Sequence, residues 1–199
     1  MVLVLVIGDL FVPIKKPGLP NPFKQLLVPG KISHVLCTGN LCGKETEEYF
    51  RELADQVHIV QGDMDEYLYP ERLVISIESL KFGLCHGHQI LPVGNRAALN
   101  ALRRDMGVDV LLTGSAMKIG YVQDDLGGLI MYPGSATGAP KVDDTTEPDP
   151  SFLLIDVQGR KIVAFLYLLV DGVSAIKSQV LLQCLVDIFF SGVPRSLCA

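Results

Sequence analysis

The chain has 199 residues, 49% hydrophobic and 20% charged, with a net charge of -5; this is enough for one domain with a sizeable core and too apolar for a disordered segment. The acidic balance, the lack of any basic stripe and the absence of Trp argue against a nucleic-acid surface, which needs clustered Lys and Arg and stacking aromatics. The cysteines number five, and Cys37, Cys42 and Cys85 lie in or next to apolar runs, as reduced, buried thiols of the cytosol do.

In chain order, residues 2–8 read as a buried strand. No basic region precedes this run and Asp9 closes it after about seven residues, so it does not read as a secretory leader. No stretch reaches the ~20 apolar residues of a membrane span. Residues 20–29 predict a short helix stopped by Pro29-Gly30. A second strand follows at 33–38, a helix at 44–55 with Tyr49, Phe50 and Leu53 on one face, and a third strand at 57–61. Residues 74–77 and 82–85 pair as a hairpin, 95–106 form a helix, and 108–113 a fifth parallel-type strand. Beyond it no helix intervenes: 119–132, 151–157 and 161–169 predict antiparallel strands joined by tight turns, with an acidic loop at 138–150. Together these predict an α/β protein, a two-sheet sandwich flanked by helices, with one domain over 1–172. The apolar tail 173–199 stands apart. In 177–199, Gln179, Gln183, Asp187 and Ser191 recur every four residues, which predicts a docked amphipathic helix that covers an apolar patch or a neighbouring chain.

Five apolar runs end at a glycine followed by a polar residue: Gly8-Asp9, Gly39-Asn40, Gly62-Asp63, Gly87-His88 beside His86, and Gly114-Ser115. Glycine lets the chain turn sharply out of a sheet, and ligands collect at the carboxyl ends of parallel strands. Asp9, Asn40, Asp63, His86 and His88 then converge on one cleft, with donors suited to a borderline divalent cation. Other catalytic readings are weaker. Gly134-Ser135-Ala136-Thr137-Gly138 does not centre its serine as a nucleophile elbow would, and Cys37, Cys42, Cys85 and His88 lack the close cysteine pairs of a zinc site.

The order of these strand ends resembles the calcineurin-like metallophosphoesterases, whose pattern runs D-x-H, G-D or G-N, G-N or G-D, H, then G-H-x-H. The longer phrases KQLLVPGKISHVLCTGNLCGKET, VHIVQGDMDE, HGHQILPVG and PGSATGAP resemble, over residues 1–172, the phosphoesterase-fold subunits of retromer complexes. The resemblance implies metal-ligand types at Asp9, Asn40, Asp63 and His86, and their loss at Phe11, Ser115 and Met117. It therefore implies no catalytic residues and a vestigial site, empty or holding one residual Zn or Mn. The implied function is a non-catalytic scaffold in endosome-to-Golgi cargo sorting, cytoplasmic and peripheral on endosomes, without direct membrane insertion. The implied partners are a large α-solenoid subunit, bound through Ile90 and Leu91, and small-GTPase regulators or similar peptides. A patch of Leu3, Leu154, Phe165 and Tyr167 would capture the regulators. The alternatives are a divergent metal-dependent phosphoesterase and a phosphate-sensing module.

Overall fold

The computed structural model describes residues 1–114, 118–124, 127–140 and 147–170, and the backbone of 173–183. The elements run β1 (Val2–Ile7), α1 (Asn21–Leu26), β2 (His34–Cys37), α2 (Lys44–Leu53), β3 (Gln56–Ile59), β4 (Arg72–Ile77), β5 (Leu80–Cys85), α3 (Arg96–Asp105), β6 (Val110–Thr113), β7 (Gly120–Gln123), β8 (Leu129–Tyr132), β9 (Ser151–Gln158), β10 (Lys161–Val170) and β11 (Val173–Gln183). They build two sheets, ordered β11-β10-β9-β1-β2-β3 and β4-β5-β6-β8-β7.

The continuous apolar run of β1 has a simple cause. Val4 and Val6 point into the core between the sheets, while Leu5 and Ile7 point into a second core beneath α1 and α2. A strand buried on both faces leaves no position for a polar residue. The second sheet has its own outer core, where Leu99 of α3 packs with Cys85, Leu111 and Ile130. The result is four layers, helix–sheet–sheet–helix.

Local chemistry sets the helix ends. Asn95 caps α3 by accepting a hydrogen bond from Ala98 N at 3.1 Å. In α2, Glu45 and Glu47 in the first turn and Arg51 in the last complement the helix dipole. The α1 helix ends at Leu26, three residues short of the expected 29, because residues ahead of Pro29 are pushed out of helical geometry. Its Phe23 meets Phe152 of β9 edge-on, with centroids 4.7 Å apart.

The tail departs from its expectation. Residues 173–183 are a strand, not the start of a docked helix, and the sheet continues past residue 172. β11 pairs antiparallel along the whole of β10, from Val170↔Val173 to Lys161↔Gln183, and lies beside the β10 patch in the sheet plane. Pairing β10's otherwise open edge outweighs a four-residue polar period. Residues 184–199 lie outside the described residues.

Candidate functional site

The parallel neighbours β1 and β2 leave the sheet through the same turn. Asp9 (φ 48°) and Phe11 (φ 51°) after β1 correspond to Asn40 (φ 56°) and Cys42 (φ 67°) after β2. Each left-handed non-glycine residue costs of order 1–3 kcal/mol, so the surroundings must hold them. Leu10 N and Phe11 N donate to Asn40 O at 3.0 and 2.9 Å. The Asp65 carboxylate accepts from Asn40 N at 2.9 Å, Gly62 N at 2.8 Å and Cys42 N at 2.8 Å. Ser135 Oγ donates to Asp9 O at 3.0 Å and Thr137 Oγ1 to Leu10 O at 2.8 Å, so the Gly-rich turn buttresses the cleft. Gly62 is needed because a Cβ there would fall on the Asn40 amide.

These turns bring Asp9, Asn40, Asp63 and His86 together across the two sheets. The Asn40 amide nitrogen donates to Asp9 Oδ1 and to Asp63 Oδ1, both at 2.9 Å, while its oxygen accepts from Met64 N at 2.9 Å. His86 is 2% exposed. Its Nδ1 faces the Thr38 carbonyl at 2.9 Å, so that nitrogen carries a proton. Its Nε2 lies 3.1 Å from Asp63 Oδ1 and 3.2 Å from the Asn40 amide nitrogen. Burial works against a charge on His86, but the Asp63 hydrogen bond and the Asp9 charge outweigh it and raise the pKa above the ordinary value. The His86 hydrogen bond in turn, against the cost of burial and with help from Asn40, holds Asp63 well below the usual carboxylate range.

Phe11 is buried with Cys42 and Ala139 against Met64, and the Lys15 ammonium sits 4.2 Å from its ring centroid. An apolar ring and a cation thus stand where the resemblance puts a ligand. Ser115 and Met117 lie outside the described residues. The thiols are no substitute, because burial and then Asp65 push the Cys42 pKa up to about 12, and burial raises Cys37 and Cys85 as well.

A metal still fits, on a different donor set. Asp63, His86 and His88 each offer a ligand atom, all within 4.8 Å of one another. One carboxylate and two imidazoles suit zinc or another borderline cation. His88 Nδ1 is buried without a hydrogen-bond partner. Sequence reasoning placed His88 in the cleft but left it out of the ligand set, and it missed Asp65 altogether. Neither role follows from spacing, because both residues sit in turns beyond the strand ends, with Gly87 at φ 95° before His88.

Two apolar surfaces flank this body. Beside the cleft, Leu91 is 81% and Val93 49% exposed, while Ile90 is partly buried against the α3 core. On the outer face of the first sheet, Leu3, Leu154 and Tyr167 line a cavity of about 100 Å³ with Phe152 and with Leu26, Leu27 and Val28 at the end of α1. Phe165, two residues from Tyr167 on β10, is half-buried alongside, paired with Leu154 in the strand register.

Two stacked sheets between helices, with a carboxylate–amide–imidazole cleft at the strand ends, define a metallophosphoesterase scaffold. Residues 2–160 match the calcineurin-like phosphoesterase superfamily domain. Vacuolar protein sorting-associated protein 29 of Schizosaccharomyces pombe is 40% identical over 174 residues, 85% of this chain and 92% of that protein. The crystal structure of wild-type Vps29 from Entamoeba histolytica complexed with zinc is 43% identical, covers 90% of this chain and 98% of that one, and superposes with a TM-score of 0.83. That of Chaetomium thermophilum Vps29 with a cyclic peptide is 33% identical, covers 92% and 97%, and gives 0.79. The chain belongs to the vacuolar protein sorting-associated protein 29 family.

Proposed function

We propose that this chain is a non-catalytic scaffold subunit of a retromer complex in endosome-to-Golgi cargo sorting. It is held on endosomal membranes through that complex; among the described residues no helix is long and apolar enough to cross a membrane. The observation that carries the reading is Leu91, 81% exposed beside a cleft whose first turn has Phe11 in a ligand position. An apolar side chain that far out of a rigid body favours burial in a partner. Ile90, Leu91 and Val93 bind the large α-solenoid subunit. The groove of Leu3, Leu154 and Tyr167, with Phe165 at its margin, takes apolar segments of small-GTPase regulators, in keeping with the peptide complex of the Chaetomium relative. Calorimetry of the wild type and Leu91→Asp against the solenoid's carboxyl-terminal half tests this.

Hydrolysis is the less favoured reading. A two-metal phosphoesterase needs both ions to activate water and neutralise the phosphoryl group, and Phe11, Ser115 and Met117 remove three ligand positions. The cleft instead retains one divalent cation, zinc or manganese, supported by the Asp63, His86 and His88 donors and by the zinc complex of the Entamoeba relative.

A further inference from the structure

We infer that the retained cation sits on Asp63, His86 and His88, toward the open rim of the cleft, and not between Asp9 and Asp63. This rests on the residual-metal reading above and assigns its ligands.

The inner position is filled by protein. The Asn40 amide nitrogen lies 2.9 Å from both Asp9 Oδ1 and Asp63 Oδ1, where a cation shared by those carboxylates would have to lie. Turning the amide over to offer its oxygen would break both bonds and the one from Met64 N, in a loop where a buried unmet donor costs ~1–3 kcal/mol. Asp9 is fully buried, and its Oδ1 accepts from Asn40.

The outer position has what a cation needs. The Asp63 side chain is 52% exposed, which leaves room for approach from solvent. His86 is fixed by the Thr38 carbonyl on Nδ1, so Nε2 is the ligating nitrogen, as in metal sites where a backbone carbonyl orients the imidazole. His88 supplies the second imidazole, its ring centroid 5.2 Å from that of His86. Asn40 can keep its bond to Asp63 as an outer partner while the cation takes the place of its 3.2 Å contact with His86 Nε2. Three protein ligands leave a fourth position for water.

Zinc titration of the chelator-stripped full chain by calorimetry tests this with wild type, His88→Ala, Asp63→Asn and Asp9→Asn. One zinc per wild-type chain is expected, with at least tenfold weaker binding in His88→Ala and Asp63→Asn, since changes even to outer partners of a metal site produce ~10–100-fold losses, and a smaller loss in Asp9→Asn, which removes a charge close to His86 but whose amide oxygen still accepts from Asn40. Unchanged metal-free melting temperatures show that each variant folds; His88→Gln repeats the test with more of the side chain kept. Zinc bound normally by His88→Ala and lost in Asp9→Asn would overturn the assignment and leave the residual-metal reading standing. No zinc on the wild type would overturn both, and two zincs per chain would overturn the assignment by reinstating a binuclear centre.

Discussion

The rings of Phe152 and Tyr167 stack face to face, with centroids 4.8 Å apart and planes 10° from parallel. Phe152 is buried and also meets Phe23 of α1 edge-on. A core residue thus holds a half-exposed tyrosine still at the surface, against the groove wall formed by Leu26, Leu27 and Val28. The strand register between β10 and β11 shifts between Leu166 and Tyr167, an irregularity of the kind that re-aims side chains near binding sites. An aromatic held this way binds a partner at little further entropic cost.

Tyr167→Ala should therefore weaken a regulator peptide selected on the wild-type chain by about tenfold or more, a typical anchor loss. Fluorescence anisotropy reads this, with Leu91→Asp as the comparison that should leave peptide affinity unchanged. Equal affinity for Tyr167→Ala and wild type would remove the groove assignment.

Restoring one ligand should not restore chemistry. Phe11→His should give no turnover of a phosphodiester such as bis-p-nitrophenyl phosphate with manganese, because Ser115 and Met117 still lack imidazoles and Asn40 still turns its amide hydrogens inward. It should also lower stability by roughly 1–3 kcal/mol, since a polar ring replaces a buried apolar one. Release of p-nitrophenol above the wild-type level would contradict this.

His34 and His58 make a pH prediction away from the cleft. Their rings stack with centroids 6.2 Å apart, and burial lowers both pKa values, for His34 with a contribution from the His58 charge. Below the ordinary histidine value of 6.5 the unfolded chain binds more protons at these sites than the folded one. Their contribution to stability is thus complete above that pH and falls as acid titrates toward the folded values. Urea midpoints at pH 7 and pH 5 should differ less in His34→Gln than in wild type; an unchanged difference would show that the pair does not titrate this way.

Much of this was legible because it is local. The continuous apolar run of β1 and the strand ends at glycine are short-range patterns, and the strand ends pointed to Asp9, Asn40, Asp63 and His86. The roles of Asp65 and His88 depend on contacts across loops and between the two sheets, which spacing does not encode. The α1 wall of the groove comes from residues about 140 positions from Tyr167 in the chain, and such pairing is likewise invisible to local pattern. The tail misled because its polar period of four outweighed a contrary cue, Asp171-Gly172 between two apolar runs, a strong hairpin signal.

The most direct test of the scaffold account is calorimetry of the full chain against the carboxyl-terminal half of the large retromer solenoid from the same organism, with chelator present. Tight binding by the wild type is expected, lost by about 100-fold or more in Leu91→Asp, because a carboxylate would be buried without a partner, while the Leu91→Asp chain keeps its melting temperature. No binding by the wild type with or without zinc, or equal binding by Leu91→Asp, would contradict the account.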